Sequence, residues 1–136
     1  MGGRNKEGKK HGRGTYTYSS GSVFEGTYYN GLREGRGVYT YFNGNRYEGD
    51  YVANAKSGLG TYYFADTGER YVGQWRADKM HGFGKYYYSS GDVYEGAYEN
   101  GEKRGKGVLI YRNKDGVLRR RPLDFPDPKH SFPRFR

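Results

Sequence analysis

Residues 24–46 read FEGTYYNGLREGRGVYTYFNGNR, and this stretch decides the fold because related stretches follow it at a fixed period. Its opening pattern, an aromatic residue and then a glycine two positions later, recurs at intervals of 23, 24 and 23 residues, at 47–49, 71–73 and 94–96. A constant period of about 20–50 residues marks a repeat architecture. Extended back to Met1, the period predicts five units: 1–23, 24–46, 47–70, 71–93 and 94–116.

Each unit has the pattern of a β-hairpin. The opening aromatic, the glycine and a second aromatic four residues on share one face, because side chains alternate along a strand. A residue type that tolerates positive φ follows, as in a tight hairpin turn. The second strand then repeats the alternation of aromatic residues. The glycine between two aromatics leaves room for a ring to lie over the backbone.

The composition supports an ordered chain with a thin aromatic core. Only 33% of residues are hydrophobic and the mean hydropathy is -1.14, which alone would suggest disorder. However, 17 Tyr, 7 Phe and 1 Trp supply large rings that bury area while keeping a polar edge. The 24 glycines lie in register with the repeat rather than in clusters.

These columns resemble the MORN (membrane occupation and recognition nexus) repeat, whose pattern is YEGxW, then NG, then GxG, a TYxY-like strand and a DG turn. The resemblance covers residues 1–116 and implies an all-β fold, an elongated antiparallel meander of tandem β-hairpin repeats, often with a concave groove. Met1 and Asn5 stand where aromatics belong, so the first unit is expected to be a degenerate cap. After Gly116 the pattern ends: Val117 could open a sixth unit, but Arg119 replaces the required glycine.

The first unit carries a second resemblance. Gly2-Gly3-Arg4-Asn5, followed by His11-Gly12-Arg13-Gly14, is similar to the opening repeat of MORN proteins of ciliary radial spoke heads. This similarity implies a place in a ciliary or flagellar axoneme, or in another cytoskeletal complex.

Residues that could bind a metal or take part in catalysis are not expected to lie close together. His11 and His81 occupy the same position in different units, whereas metal ligands must meet in space. The chain has no cysteine, which excludes a disulfide and a Cys-based zinc or redox site. The glycine pairs do not match the GxxxxGK[ST] phosphate loop. The sequence therefore predicts no catalytic residue, no metal and no cofactor.

The sequence also lacks signals for a membrane. No apolar run approaches the length of a membrane span, and the N-terminal stretch MGGRNKEGKK has no apolar core of a secretory signal. We therefore expect a soluble intracellular protein with no membrane span.

Two surfaces are candidates for binding. Aromatic columns are either the core of the array or a partner-binding face rich in the residue types that binding hot spots favour. The candidates on this aromatic face are Tyr28, Tyr41, Tyr51, Trp75, Tyr88 and Tyr98.

The second candidate surface is a basic edge. Hairpin-loop positions carry many of the basic residues behind the formal net charge of +9, and stacking of the repeats would align them. Such an edge either prevents edge-to-edge aggregation or attracts an acidic protein or lipid surface. The candidates are Lys79, Lys103, Arg104 and Lys106.

Residues 117–136 form a different kind of segment, rich in proline, arginine and phenylalanine. Because it lacks the glycine columns, we expect an extended tail without regular structure that cannot lengthen the hairpin array. It is either a disordered end or a strap that docks on a surface. The candidate anchors are Arg119, Arg120, Arg121, Phe125, Phe132 and Phe135.

Three functions remain open at this point. The first is a non-catalytic scaffold for protein assembly, with radial spoke head subunits among the expected partners. The second is an adaptor that binds phosphoinositides or other acidic phospholipids through the basic edge. The third is a regulatory part of an enzyme, because the family resemblance implies that MORN arrays also occur beside catalytic domains. This chain has no room for such a domain. Nucleic acid is not favoured as a partner.

Overall fold

The computed structural model describes residues 2–126 as one open sheet of eleven antiparallel strands in sequence order. No helix occurs among these residues, which confirms the all-β meander of hairpins. Ten inter-strand steps of about 4.8 Å make the sheet about 50 Å wide. The strands are β1 (Gly3–Arg4), β2 (Lys10–Thr17), β3 (Val23–Tyr29), β4 (Leu32–Thr40), β5 (Arg46–Val52), β6 (Ala55–Tyr63), β7 (Arg70–Arg76), β8 (Lys79–Tyr87), β9 (Val93–Glu99), β10 (Glu102–Arg112) and β11 (Leu118–Phe125).

Two-residue turns close the four hairpins β3–β4, β5–β6, β7–β8 and β9–β10. Both turn residues have positive φ, which a type I′ turn requires and which matches the right-handed twist of the strands. The turn residues are Asn30 and Gly31, Ala53 and Asn54, Ala77 and Asp78, and Asn100 and Gly101. The second residue of each turn also donates its backbone N–H to a carbonyl of the preceding unit, as Asn54 does to Arg33 at 2.9 Å. The turns therefore hold successive hairpins together as well as closing them.

Two of these turns contain an alanine where the others have asparagine. Ala53 and Ala77 have φ of 47° and 49°, a region that costs an L-residue with a β-carbon about 1–2 kcal/mol and that asparagine tolerates better. We expect Ala53→Asn and Ala77→Asn each to stabilise the fold by about 0.5–1 kcal/mol, measured by thermal or urea unfolding. Ala55→Asn, in a strand, is the control and should not stabilise. An unchanged or lower stability of both turn variants would contradict this assignment.

The first unit does not form such a turn. Glu7 stands at the position of Asn30, and only its neighbour Gly8 has positive φ. The chain instead makes a longer loop in which Asn5 and Lys9 are hydrogen-bonded through the backbone at 2.8 Å. As a result β1 has two residues and pairs only with Lys10 and His11.

Glycine pairs form the flat floor under the aromatic rings. Gly49 of β5 lies opposite Gly60 of β6, and Gly73 of β7 lies opposite Gly84 of β8. A β-carbon at Gly73 would lie 2.5 Å from the Gly84 Cα atom and 2.7 Å from the Tyr71 hydroxyl oxygen. Real β-carbons do not approach other atoms so closely, so the opening ring of each unit requires both glycines beneath it.

The core is a continuous row of rings along one face of the sheet, which we call the aromatic face. Each opening ring contacts the second ring of its own unit and the second ring of the next unit, edge to face, with centroids 5.0–5.8 Å apart. Edge-to-face pairs are favourable because of the ring quadrupole. In order, this buried row is Tyr28, Phe24, Tyr51, Tyr47, Trp75, Tyr71, Tyr98, Tyr94 and Phe125.

The opposite side of the sheet, which we call the outer face, carries charged pairs and single apolar residues. Arg36 lies 3.4 Å from Asp50, and Lys85 lies 3.5 Å from Glu95. Leu59 and Phe83 occupy the corresponding positions in the middle of this face and are exposed. The sheet thus has one ring-covered face and one face of solvated pairs.

The expectation that residues after 116 cannot lengthen the array is wrong for residues 118–125. They form β11, which is paired with β10 along eight residues, and Phe125 occupies the position that Tyr51, Trp75 and Tyr98 have in earlier units. Phe125 is thereby half-buried against Tyr94, with ring centroids 5.8 Å apart.

A longer final hairpin explains why β11 was not predicted. The glycine-column residues Gly37 and Gly49 are 12 residues apart in the chain, whereas their counterparts Gly107 and Leu123 are 16 apart. The last hairpin therefore has two extra residues on each strand, and the position of the missing glycine is Leu123, not Arg119. Pro122 is tolerated because β11 is an edge strand, where a residue without N–H can face solvent.

Candidate functional site

A second row of rings lies beside the buried row on the aromatic face. These rings are half-buried and follow one another with centroids 4.5–6.0 Å apart, so they offer part of their surface to solvent. We call them the half-buried row: Tyr18, Tyr39, Tyr41, Tyr62, Phe64, Tyr86 and Tyr88.

The structure divides the six aromatic candidates between the two rows. Tyr28, Tyr51, Trp75 and Tyr98 belong to the buried row and are only 2–7% exposed. Such rings pack within the array and have almost no surface for a partner, which favours the core over the partner-binding alternative for these four. Tyr41 and Tyr88 lie in the half-buried row and keep accessible ring surface. The alternation in the sequence could not separate the two rows, because both point to the same face.

A column of cations lies over the rings, nine residues after the opening position of each unit. The Arg33 guanidinium is 5.1 Å from the Tyr51 ring centroid, and the Lys56 ammonium is 5.5 Å from that of Trp75. Contacts of this kind are worth about 0.5–2 kcal/mol, more where the cation is desolvated. The column consists of Lys10, Arg33, Lys56 and Lys103, with Met80 in the fourth unit. The constant offset of these cations is visible in the sequence, but there it suggests a solvent-exposed basic edge and not a contact with rings.

The basic edge predicted from the sequence is not a single surface. Lys103 lies on the aromatic face, 5.2 Å from the Tyr94 ring centroid, and Arg104 is paired with Glu99 at 3.0 Å. Lys106 and Lys79 are exposed in strands, with Lys106 beside Asp124 on the outer face. Because strands alternate their side chains, neighbouring basic residues in the sequence point to opposite faces. Lys103 and Arg104 therefore contribute to packing and are not free loop charges.

Burial changes the acidity of the tyrosines in the buried row. Desolvation raises the pKa of Tyr47, Tyr51, Tyr71 and Tyr98 well above the usual value near 10, because a phenolate would lose its hydration there. The Tyr71 hydroxyl also donates a hydrogen bond to the Gln74 carbonyl oxygen at 2.7 Å. The Tyr47 hydroxyl likewise donates to the Asp50 carbonyl oxygen at 2.8 Å, and all four hydroxyl groups stay protonated at neutral pH.

This burial predicts unfolding in alkali. In the unfolded chain tyrosines lose their protons at a pH of about 10, whereas the folded chain holds them to higher pH. The contribution of these tyrosines to the free energy of unfolding is therefore complete below about pH 10 and decreases as the pH rises above that value. We expect the melting temperature to be level between about pH 7 and 9 and to fall above about 10, with phenolate absorbance at 295 nm rising as the protein unfolds. Titration of all tyrosines near pH 10 in a protein that stays folded would contradict the burial.

Glu69 is an acidic residue on the rim of the aromatic face. It accepts hydrogen bonds from the Ser89 backbone N–H at 3.1 Å and the Tyr86 hydroxyl at 2.9 Å, and these bonds lower the pKa of its carboxyl. In the two earlier units the equivalent residues are Ser22 and Asn45, which are uncharged and accept the same backbone bond. The rim therefore gains fixed negative charge toward the C-terminal end.

A recess of about 460 Å³ opens at this end of the aromatic face. It is lined by Leu109 and Leu123 and by the rings of Tyr88, Tyr94 and Phe125. Glu69, Asp92 and Lys103 lie at its rim. No sequence pattern had indicated it, because it results from the position of Phe125 in β11.

The described part of the predicted tail belongs to the array itself. Arg119, Arg120 and Arg121 are exposed on β11, and the Arg121 guanidinium is 5.6 Å from the Tyr111 ring centroid. Phe125 packs on the row of rings, as described above. The other two predicted anchors, Phe132 and Phe135, lie outside the described residues.

Residues 2–126 also bear on metal binding and on membrane spans. These residues contain no group of three or more His, Asp or Glu side chains placed to hold a metal ion. The same part of the chain has no helix long and apolar enough to cross a membrane.

The stacked hairpins, paired glycines and rows of rings define a β-hairpin repeat protein of the MORN class. The model of the MORN repeat family matches residues 6–23, 24–46, 47–69, 71–93 and 94–116, and the chain belongs to this family. The chain is also similar to Alsin of Rattus norvegicus and of Homo sapiens, with 35% identity over 107 residues in each case. That alignment covers 79% of this chain but only 5% of each Alsin sequence. MORN repeats are generally non-catalytic modules for protein or membrane interaction.

Proposed function

We propose that this chain is a non-catalytic scaffold that binds protein partners along the half-buried row of rings. The observation that carries the proposal is the difference between the two rows: in one, every ring except Phe125 is almost completely buried, whereas the other keeps ring surface accessible along the length of the sheet. Exposed tyrosine surface beside fixed cations is what protein interfaces use for their strongest contacts. The family membership supports an interaction module of this kind.

The finer part of the proposal concerns where the scaffold acts. The Gly-Arg-Asn and His-Gly-Arg-Gly stretches of the first unit support a ciliary or flagellar axoneme, with radial spoke head subunits as partners, or another cytoskeletal complex. Recruitment of acidic protein surfaces would use the exposed residues Lys79 and Lys106 and the three arginines of β11.

The experiment compares two double variants in ciliated cells. Tyr41→Ala/Tyr88→Ala removes rings from the half-buried row, and Tyr63→Ala/Tyr87→Ala removes two half-buried tyrosines from the outer face as a matched control. Proximity labelling should identify a set of proteins lost with the first variant and kept with the second. Axonemal proteins in that set would support the ciliary assignment. Equal partner sets for both variants and the wild type would overturn the aromatic face as the binding surface.

A second candidate function is binding of acidic phospholipids. The observation that favours it is the exposed run Arg119, Arg120 and Arg121 on the edge strand of a chain with a formal net charge of +9. We expect Arg119→Ala/Arg120→Ala/Arg121→Ala to abolish binding to vesicles with phosphoinositides, and wild-type binding to weaken as salt rises. Vesicle binding that does not depend on these arginines, or the absence of binding at low salt, would remove this candidate.

A further inference from the structure

The recess at the C-terminal end of the aromatic face lies where the half-buried row lacks a ring. Fifteen residues after the opening position, earlier units have Tyr39, Tyr62 and Tyr86, whereas the last unit has Leu109. Tyr41 therefore contacts Tyr39 of its own unit at 4.5 Å and Tyr62 of the next unit at 5.6 Å between ring centroids.

At the last unit this pattern is incomplete. Within residues 2–126, Tyr88 has one ring neighbour in this row, Tyr86 at 4.8 Å. The shorter side chain of Leu109 leaves the recess of about 460 Å³, and Phe125 closes it from β11. The walls therefore present ring surface to any group that enters.

The rim adds a charge preference to this shape. Glu69 and Asp92 supply two carboxylates, and Lys103 supplies one ammonium group, whose Nζ atom is 5.6 Å from the Tyr88 ring centroid. One negative charge is thus in excess. The hydrogen bonds from Ser89 and Tyr86 keep Glu69 ionised and hold its position.

We propose that this recess binds an aromatic side chain of a partner protein that has an arginine or lysine next to it in the sequence. The ring would continue the half-buried row between Tyr88 and Phe125, and the neighbouring cation would reach Glu69 and Asp92. The molecule itself shows both contacts elsewhere: rings in its rows lie 4.5–6.0 Å apart, and the Arg104 guanidinium lies 3.0 Å from the Glu99 carboxylate. This inference rests on the proposed scaffold function and specifies one contact of it.

The test uses capped pentapeptides and the full chain. The probe is Gly-Arg-Phe-Arg-Gly, with Gly-Arg-Ala-Arg-Gly and Gly-Glu-Phe-Glu-Gly as controls. Binding is followed by NMR through the methyl signals of Leu109 and Leu123. We expect saturable chemical-shift changes with the first peptide. Either control peptide should bind at least about tenfold more weakly. Equal affinity for the alanine peptide, or for the glutamate peptide, would overturn the proposal.

Two leucine variants test the site itself. Leu109→Tyr restores the ring that other units have, so it should fill the recess without loss of stability and weaken peptide binding about tenfold or more. Leu118→Tyr, at an exposed position of β11, is the matched control and should bind as the wild type does. Unchanged binding by Leu109→Tyr would show that the peptide binds elsewhere and would overturn the proposal.

Two further outcomes distinguish the possible occupants and the two proposals. Residues 127–136 also contain phenylalanine and basic residues. Suppose that the peptide does not bind to the wild type but does bind to the variant Phe132→Ser/Phe135→Ser. The recess is then filled by this chain itself and not by a partner, which overturns the proposal. If Leu109→Tyr keeps the partner set that Tyr41→Ala/Tyr88→Ala loses, this inference fails while the scaffold function stands. If the peptide binds but no partner depends on the aromatic face, the scaffold function fails.

Discussion

Gly73→Val should destabilise the protein by about 3 kcal/mol, the upper part of the usual range for overpacking. The added β-carbon would lie 2.5 Å from the Gly84 Cα atom and 2.7 Å from the Phe83 carbonyl oxygen, and neither backbone atom can move without distorting β8. The Tyr71 ring above it is completely buried and has no free space to enter. In a chain of this size the change corresponds to a fall of about 10 °C in melting temperature, measured by circular dichroism.

Glu25→Val is the matched control for this substitution. Glu25 is exposed on the outer face, one residue before a glycine, and the equivalent residue of the third hairpin, Val72, is already valine. The same side chain is thus introduced on the side of the sheet that has room for it. We expect a change within about 0.5 kcal/mol, as for other surface substitutions. Similar losses from both variants would contradict the assignment of the two faces.

Ending the chain after Gly116 should destabilise the protein at least as much as Gly73→Val does. The truncation removes β11, leaves the backbone groups of β10 unpaired at the edge and uncovers Tyr94, which is completely buried in the intact protein. We expect the melting temperature to fall by more than about 10 °C. A truncated protein that melts like the intact one would show that β11 contributes nothing to the fold.

A single substitution separates the ring from the strand. Phe125→Ala keeps β11 but removes its contact with Tyr94, and should cost about 2 kcal/mol, less than for a fully buried phenylalanine because Phe125 is half-buried. Leu118→Ala in the same strand is the control, since Leu118 is 55% exposed and should change stability little. Equal effects of the two would indicate that Phe125 does not complete the row of rings.

The repeat made most of the fold predictable, because each column has a local physical reason. Residues suited to positive φ at Asn54 and Asp78 indicated where the hairpins turn, and the alternation around Gly49 indicated which face carries the rings. Where the columns change, the prediction failed: Leu123 and Phe125 do not look like the glycine and the second aromatic of a unit. Their role depends on the longer final hairpin, and hairpin length is set by pairing with β10.

The candidate site was harder to predict than the fold. Period and alternation place Tyr41 and Tyr51 on the same face, but only the packing of neighbouring units decides that Tyr51 is buried and Tyr41 is accessible. Likewise Lys103 and Arg104 are adjacent in the sequence, and the strand sends one onto the rings and the other to an ion pair with Glu99. The burial of each ring is decided by packing between units, which the pattern of a single repeat does not reveal.

The contact between each opening ring and the second ring of the next unit has a consequence for how such a chain can change in evolution. The segment that can be duplicated runs from one opening aromatic to the next, as 24–46 and 47–70 do, but the segment that completes a core is offset and spans the junction between them. An inserted copy therefore finds matching rings on both sides and extends the row without new contacts having to evolve. A partial copy would leave a ring without its partner at the junction. Gain and loss of length should consequently occur in whole units, with the irregular first and last hairpins kept at the ends.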